Sequence, residues 1–414
     1  MVRLAFDQIV RARERIADGV LATPCPYSPA LSEWYACRIY CKLEFLQRTG
    51  SFKERGARNA LRQLSAEQES RGVIAASAGN HALALAYHGR QLGIAVTVVM
   101  PNYAPLVKQV NCQRLGATVE LYGETFGDAK ARADELARAG GLAYIHGYDD
   151  PAIIAGQGTL GLEVVDQVPD LDAILVPIGG AGLIAGVATA VKHLRPHVQV
   201  IGVEAAGTMC FTSALRKGRP VRVPPRTTLA DGLAVGIVGE QAFQIARPLV
   251  DRVITVSESD LALAVIRLME LEKAVVEGAG AAPLAALLSG QLAELAGRHV
   301  VLTLTGGNID LTILHRLIDI ALIADGRLAR FTAVISDRPG GLARLTGALA
   351  EVGASVKEIT HDRTFSGPDV AAVNVLCTVE TRDEQHIEAL YQKLNERGIR
   401  HFAHLGRSSG TSGT

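Results

Sequence analysis

The segment VIAASAGNHALALAYHGRQLGIAVTVVM, residues 73–100, decides the fold class. An apolar run over 73–77 is followed by a helical pattern over 81–93 and by a second run, rich in valine, over 95–100. A strand, a helix and a strand in this order predict a βαβ unit, whose two strands are parallel. Because helices cover both faces of a parallel sheet, the segment predicts an α/β fold.

The same alternation returns twice further along the chain. Strands are predicted over 173–178, 198–205 and 299–305, and helices over 182–194 and 309–322. Repeated units of this kind predict a doubly wound parallel sheet. In such sheets, ligands bind beyond the carboxyl ends of the strands.

Three unusual loops follow predicted strands, namely SAGNH (77–81), GGAGL (179–183) and TGGN (305–308). GGAGL can direct backbone N–H groups and a helix N-terminus at an anion, although a plain tight turn is the alternative. SAGNH offers amides and Asn80 to a carboxylate or a ring hydroxyl, unless Ser77 to Asn80 only cap the helix and His81 only packs. TGGN adds the hydroxyl of Thr305 and two glycines that permit close backbone approach. These loop positions predict one shared site.

The segment RTGSFKERGA, residues 48–57, places Lys53 directly behind a turn. One explanation is a helix that is N-capped by Ser51 and whose charged residues face water. The other is chemical. A phosphate cradle, a carboxylate cradle, a hydroxyl for a ring nitrogen and a lysine are together what pyridoxal phosphate requires, because the lysine must form a Schiff base with its aldehyde.

Charge and composition narrow the class of partner and the compartment. The 414 residues include 42 Lys+Arg and 42 Asp+Glu, so no field of one sign is available to attract nucleic acid or an acidic membrane. A small-molecule substrate is therefore expected. The six cysteines are scattered and form no CxxC, which predicts reduced thiols, no structural zinc and a cytoplasmic protein. Residues 1–19 carry charge throughout, and no run of 18 apolar residues occurs, so neither export nor a membrane span is expected.

The character of the sequence changes near residue 330. Residues 331–404 predict the order strand, helix, strand, strand, helix, strand, which is a ferredoxin-like βαββαβ module. We therefore expect a first domain over 1–322 with a smaller lobe inserted at about 50–145, and a linker over 323–330. The Gly/Ser/Thr-rich segment 405–414 is predicted to be disordered.

Seven motifs give the sequence a specific family resemblance. Over residues 5–320 the chain resembles the fold type II pyridoxal-phosphate enzymes of the serine/threonine dehydratase group. The resemblance implies a tryptophan synthase β-like fold with two doubly wound parallel-sheet lobes. The motifs are KLEFLQRTGSFKERGA (42–57), SAGNHA (77–82), DDPAIIAGQGTLGLE (149–163), GGAGLIAG (179–186), ADGLAV (230–235), EGAGA (277–281) and TGGNID (305–310).

The resemblance also implies roles for single residues. Lys53 would form the Schiff base and remove the Cα proton, Phe52 would lie beside the cofactor ring, and Asn80 would bind the 3-hydroxyl. Thr305 would meet the pyridine nitrogen. Glu277 would line the pocket, although a carboxylate that merely starts a helix is the alternative. The phosphate would be held by the amides of Gly179, Gly180, Ala181, Gly182 and Leu183, and the substrate carboxylate by Ser77, Ala78, Gly79, Asn80 and His81.

The identity of Thr305 bears on the reaction. A hydroxyl can donate to a neutral ring nitrogen but cannot hold a pyridinium as a carboxylate would. The ring is then a weaker electron sink, which favours β-elimination over transamination. The implied activity is that of a threonine ammonia-lyase, which removes water from L-threonine or L-serine and yields ammonia with 2-oxobutyrate or pyruvate.

Several positions depart from the pattern of related enzymes. Ala78 stands where serine racemases, by resemblance, carry a serine as second base, so racemisation should be poor. Cys210 stands where a second carboxylate would help Glu204 to bind a divalent cation, so no metal site is expected. Tyr148 is as in threonine dehydratases, whereas Ala181 and Leu83 replace the usual Gly and Gln.

The segment DRPGGLARLTGALAEVGASV, residues 337–356, resembles an ACT domain, a module that binds amino acids at dimer interfaces. Asp337 and the amides of Gly340, Gly341 and Leu342 would hold an amino-acid effector. Alternatively, the module only dimerises or rigidifies the enzyme. Either case implies a homodimer or homotetramer, and the layout resembles the medium-length class of threonine ammonia-lyases.

Two other functions stay open at this stage. A relative that acts on another β-hydroxy amino acid, such as 3-hydroxyaspartate, would need an extra cation, and the sequence does not show whether Arg48 or Arg55 points inward. A non-catalytic amino-acid sensor is disfavoured because Lys53, the SAGNH loop and Thr305 are intact.

Overall fold

In the computed structural model, the strands of the first part of the chain form two parallel sheets. The structure describes residues 4–224, 226–363 and 371–404, and the predicted tail at 405–414 lies outside them. The contacts divide the chain into two units, Met1–Ile309 and Asp310–Thr414.

Nine strands of the first unit belong to its two sheets. They are β1 (Arg38–Leu43), β2 (Val73–Ala76), β3 (Val96–Met100), β4 (Thr118–Leu121), β5 (Ala143–Tyr144), β6 (Ala173–Pro177), β7 (Gln199–Ala205), β8 (Arg252–Val256) and β9 (His299–Leu304). One sheet has the order β1-β9-β6-β7-β8 and the other the order β4-β3-β2-β5, with every described pairing parallel. The second sheet is inserted between β1 and β6. Two parallel sheets of an α/β protein are as predicted.

The helices of the first unit alternate with these strands. They are α1 (Phe6–Ile16), α2 (Pro29–Tyr35), α3 (Lys53–Leu61), α4 (Ala66–Arg71), α5 (Asn80–Leu92), α6 (Leu106–Arg114), α7 (Phe126–Gly140), α8 (Pro151–Gln167), α9 (Gly182–Leu194), α10 (Cys210–Lys217), α11 (Glu240–Ala246), α12 (Glu258–Glu272) and α13 (Gly278–Leu288). Short 3₁₀ turns lie at Glu44–Leu46, Asp231–Leu233 and Ala293–Leu295.

Glycines bring α8 and α9 into close contact. A Cβ added to Gly186 would lie 2.3 Å from the carbonyl oxygen of Ile154, and one added to Gly158 would lie 2.9 Å from the carbonyl oxygen of Gly186. Any larger residue would force the two backbones apart. Because β6 is buried along its whole length, AILVP, the start of α9 is fixed between a rigid strand and α8.

The charged residues that follow Lys53 point inward. Arg55 is fully buried, donating to Glu44 Oε1 at 2.7 Å and to Glu163 Oε1 at 2.6 Å. Lys42 Nζ lies 2.5 Å from Glu163 Oε2. Burial opposes ionisation of Glu44, but the charge of Arg55 outweighs it and lowers the pKa of that carboxyl. The explanation of this segment as a helix whose charges face water is therefore wrong.

The second unit contains one antiparallel sheet. Its strands are β10 (Leu328–Ser336), β11 (Ser355–Asp362), β12 (Ala372–Glu380) and β13 (Arg400–Ala403), in the order β11-β12-β10-β13, and its helices are α14 (Leu311–Ala324), α15 (Gly341–Val352) and α16 (Glu384–Glu396). From β10 onward the order is βαββαβ, so the predicted ferredoxin-like module is confirmed.

Helix α14 groups with the second unit, where Asp319 bonds Lys357 of β11 at 2.7 Å. The sequence pattern instead predicts that this helix belongs to the first domain, with domain limits 1–322, 323–330 and 331–404. Those domain limits stay a prediction.

The structure also gives the state of the cysteines and the length of the apolar helices. Each of the six cysteines is a free, buried thiol. Within residues 4–224, 226–363 and 371–404, no helix is both long and apolar enough to cross a membrane.

The buried Arg55 cluster yields a prediction about stability. Substitution Arg55→Leu should lower the free energy of unfolding by about 3–5 kcal/mol, because it leaves buried Glu44 without its ion-pair partner and leaves Glu163 paired with Lys42 alone. Arg13→Leu is the matched control: its pair with Asp166 is exposed, so the loss should stay below about 1 kcal/mol. Urea denaturation of both variants measures the difference, and equal losses would contradict the structural role of Arg55.

Candidate active site

Backbone hydrogen bonds join the Lys53 turn to the loop after β9. The N–H of Phe52 donates to the carbonyl of Thr305 at 3.0 Å, and the N–H of Gly307 donates to the carbonyl of Gly50 at 3.0 Å. Ser51 and Gly306 form an isolated antiparallel bridge between these bonds. The structure therefore brings the lysine turn and the TGGN loop together, as the shared site requires.

Lys53 is the first residue of α3, with Phe52 at the N-cap position, so Ser51 is not the cap. Its Nζ donates to the carbonyl of Gly147 at 2.7 Å and lies 5.2 Å from the centre of the Phe52 ring. Burial lowers the pKa of this amine to about 8, against the opposing charge of Glu277. Near neutral pH, Lys53 is thus neutral, and able to act as nucleophile or base, far more often than an exposed lysine, although the ammonium form still dominates.

Asn80 and Glu277 meet across the site. Asn80 Nδ2 donates to Glu277 Oε1 at 2.7 Å. Burial, reinforced by the charge of Asp231, raises the pKa of Glu277 to about 7. Glu277 occupies the N-cap position of α13, yet its side chain makes no capping hydrogen bond there. Its contacts are therefore those of a site residue, whereas the predicted position beside the cofactor remains a prediction.

The SAGNH loop connects β2 to α5. Two hydrogen bonds hold its backbone. The N–H of Ser77 donates to the carbonyl of Val99, and the N–H of Gly79 donates to Ser77 Oγ at 3.4 Å. Gly79 is the N-cap residue and Asn80 the first helical residue, so no side chain caps this helix. Half-buried Ala78 supplies a methyl group and no base.

His81 is buried and neutral. Its Nε2 lies 3.1 Å from the carbonyl of Ile145, which can only accept, so the proton is on Nε2. Burial and the nearby charge of Lys53 lower the pKa of His81 to about 3. Its Nδ1 is buried without a hydrogen-bond partner among the described residues. His81 is thus poorly suited to carry a proton, and its role in packing or in binding the substrate carboxylate stays a prediction.

The loop from Gly179 to Leu183 connects β6 to α9. At Gly180 and Gly182 it has no room for a side chain. A Cβ at Gly180 would lie 2.2 Å from the Tyr148 ring, and a Cβ at Gly182 would lie 2.4 Å from the Tyr148 carbonyl oxygen. Ala181 has φ 73°, in the left-handed region, where a usual glycine would be unstrained. The first turn of α9 exposes N–H groups that have no acceptor inside the helix.

These residues fit the cofactor that the sequence predicts. The lysine amine, the Asn80 amide, the strand-end residue Thr305 and the glycine loop all belong to the first unit, and Gly147–Tyr148 contacts both Lys53 and the glycine loop. A lysine of lowered pKa and a backbone cradle for an anion are the chemistry that pyridoxal phosphate needs.

Some contacts were missed by the sequence analysis. Lys108 of α6 lies 2.8 Å from Asp231 and so links the inserted lobe to the larger one. Asp231 lies in the quoted ADGLAV motif, but nothing in the sequence singled out Lys108. Asn308, the last residue of TGGN, donates to both Thr49 and Asn80. The motif was noticed, whereas the partners of Asn308 could not be read from it.

Glu204 and Cys210, where the sequence predicts that no metal ion binds, both form hydrogen bonds with backbone groups. Glu204 accepts from the N–H groups of Phe211 at 2.6 Å and Thr212 at 2.9 Å, while Cys210 Sγ donates to the carbonyl of Val235. Among the residues that the structure describes, no group of three or more His, Cys, Asp or Glu side chains could hold a metal ion.

Comparison with known proteins is consistent with this geometry. Residues 16–306 match the sequence profile of the family described as "Pyridoxal-phosphate dependent enzyme", and residues 330–398 match the profile of the ACT domain. An L-threonine ammonia-lyase of Thermotoga maritima is 40% identical over 395 residues, which cover 95% of this chain and 98% of that protein.

Two solved structures show the same fold. The processed form of threonine deaminase isoform 2 from Solanum lycopersicum has a TM-score of 0.74 and 36% identity, over 76% of this chain and 93% of that chain. Maize serine racemase has a TM-score of 0.73 and 33% identity, over 78% of this chain and 98% of that chain. With a family profile that covers most of the chain and a site that fits the cofactor, this protein belongs to the family of pyridoxal-phosphate dependent enzymes.

Proposed function

We propose that this protein is an L-threonine ammonia-lyase, which eliminates water from L-threonine, and from L-serine, and releases a product whose hydrolysis takes up one water and gives ammonia with 2-oxobutyrate or pyruvate. The observation that carries the proposal is half-buried Lys53, which follows the turn bonded to Thr305 and whose amine donates to the carbonyl of Gly147, with the pKa of that amine lowered to about 8. The relative from Thermotoga maritima and the tomato threonine deaminase support the choice of substrate.

The residues of the chain divide the work. Bound pyridoxal phosphate supplies an electron sink for charge at the substrate Cα. Neutral Lys53 removes the Cα proton, and its low pKa makes it a competent base near neutral pH. The Thr305 hydroxyl would meet the ring nitrogen, and Phe52 would lie beside the ring.

Backbone groups fix the two anionic ends. The loop from Gly179 to Leu183, at the N-terminus of α9, would hold the cofactor phosphate through its N–H groups. The loop from Ser77 to His81 binds the substrate carboxylate at the start of α5. Because these donors belong to rigid elements, they orient the substrate without reorganising.

Alternative reactions find less support in the same site. Arg55 is buried and committed to Glu44 and Glu163, so it does not offer the extra cation that 3-hydroxyaspartate would require. The likeness to maize serine racemase does not favour racemisation, because Ala78 offers no second base. A sensor without catalysis would have no use for a lysine amine of lowered pKa.

We also propose that the ACT module binds an amino-acid effector. Asp337 lies before α15, and its carboxylate accepts from Arg363 Nε at 3.0 and 3.1 Å. Gly340 has φ 93°, which turns the chain so that the amides of Gly341 and Leu342 start the helix. We propose a homodimer or homotetramer, cytoplasmic localisation, and the domain limits 1–322, 323–330 and 331–404.

The first prediction of this proposal concerns the reaction itself. Purified protein loaded with cofactor should convert L-threonine to 2-oxobutyrate, and Lys53→Ala should lower the rate by at least about a hundredfold, since it removes the base. Lys130→Ala, which removes the pair of Lys130 with Asp134 and its contact with the Tyr144 ring, is the control and should retain activity. Assays with L-serine and 3-hydroxyaspartate run in parallel. Cofactor binding without elimination from threonine would refute the reaction while leaving the family intact.

A second prediction concerns the protonation of Lys53. In cofactor-free protein, its labelling by a small amine-reactive reagent should rise with a midpoint near pH 8, far below the usual lysine value of about 10.4. Glu277→Gln removes a charge that favours the ammonium form, so the midpoint should fall further. Mass spectrometry of the Lys53 peptide across pH measures both. A midpoint above 10 would show that burial does not activate this amine.

A third prediction concerns the effector. Isoleucine or valine should bind the full-length protein in calorimetry, and Asp337→Asn should weaken binding by at least about tenfold through loss of a charged hydrogen bond. Asp319→Asn, which affects only the pair with Lys357, is the control. If neither these nor other amino acids bind and the oligomer persists, the module serves assembly alone.

A further inference from the structure

The Asn308 side chain links the lysine turn to Asn80. Its Nδ2 donates to the carbonyl of Thr49 at 2.7 Å and to Asn80 Oδ1 at 2.9 Å. Thr49 belongs to the turn that leads into Lys53, and Asn80 starts α5. One amide group thus ties the lysine turn to the residue predicted to bind the cofactor ring.

The orientation of the two amides follows from one carbonyl group. The carbonyl oxygen of Thr49 can only accept, so the Asn308 atom that faces it must be Nδ2. The same Nδ2 faces Asn80, whose Oδ1 is therefore the acceptor. Asn80 Nδ2 is then directed at Glu277 Oε1, which leaves its other N–H for a further acceptor.

Glu277 does not fix this orientation by itself. An ionised carboxylate can only accept from Asn80, but a protonated carboxyl can also donate. Burial raises the pKa of Glu277 to about 7, so both forms occur near neutral pH. The carbonyl of Thr49 has no such second state.

The surrounding backbone is packed against this cluster. Gly50 has φ +76°, and a Cβ there would lie 2.6 Å from Asn308 Oδ1. A Cβ at Gly306 would lie 2.4 Å from Glu277 Oε1 and 3.2 Å from Asn80 Nδ2. The backbone of Asn308 also hydrogen-bonds Glu277. Both glycines are therefore needed for the side chains to meet.

We propose that Asn308 is a positioning residue, which fixes the amide of Asn80 so that its second N–H faces the 3-hydroxyl oxygen of the cofactor ring. The inference rests on the proposed role of Asn80 in cofactor binding. It does not depend on the substrate or on the reaction.

A double-mutant cycle on cofactor affinity tests the proposal. The dissociation constant for pyridoxal phosphate is measured by titrating cofactor-free full-length protein carrying Asn308→Ala, Asn80→Ala or both. Asn308→Ala should weaken binding about tenfold, and the double variant should bind no more weakly than Asn80→Ala alone, since Asn308 acts through Asn80. Additive losses would overturn the proposal. So would a loss no larger than that of the control Asn102→Ala, which removes only an exposed bond to Glu124.

A second variant separates positioning from packing. Asn308→Leu keeps a similar side-chain volume but has no donor, so it should lose as much affinity as Asn308→Ala. Retained affinity would show that only packing matters and would overturn the proposal. Thermal melting of each cofactor-free variant confirms that it is folded. Because the readout is cofactor binding, failure of threonine elimination in the unmodified protein would refute the proposed function without deciding this test.

Discussion

The site depends on a short stretch of backbone pairing between segments that are far apart in sequence. Thr49 and Asn308, 259 residues apart, lie beside the bridge between Ser51 and Gly306. Because α3 begins at Lys53, directly after this bridge, the loop after β9 determines where α3 starts. Backbone bonds of this kind do not depend on side-chain rotamers, so they hold the backbone of Phe52 against that of Thr305.

Two sets of ionisable groups lie near this junction, and they differ in the charge of their hydrogen-bond partners. Arg55 has carboxylates on both sides, and its charge lowers the pKa of Glu44 despite burial. Lys53 and Glu277 have only neutral hydrogen-bond partners, a carbonyl and an amide, so burial shifts the pKa of each toward the neutral form. The first set is therefore permanently ionised and supports the structure. The second can change its protonation near neutral pH, as a group that transfers protons must.

The two lobes contribute different parts of the same site. The larger sheet supplies Thr305 and the glycine loop, whereas the inserted sheet supplies Ser77 to His81. Apolar and polar contacts both cross between the lobes: Ile153 of α8 packs into the core of the inserted lobe, Asn80 bonds Glu277, and Lys108 pairs with Asp231. The Lys108–Asp231 pair is partly exposed, so it adds little net free energy.

The sequence by itself determined the fold class and the chemical groups of the site. Apolar runs such as 173–178 and helical patterns such as 182–194 match β6 and α9 within a residue, because burial on both faces imposes a distinct periodicity on a strand and on a helix. The motifs likewise predicted which loops meet, because the carboxyl ends of parallel strands lie at one edge. Only the tertiary structure decided that Arg55 is buried, that Glu277 contacts Asn80, and that Asn308 orients that amide. Those outcomes depend on partners more than a hundred residues away, as with Glu163, 108 residues from Arg55, and no local pattern encodes such distances.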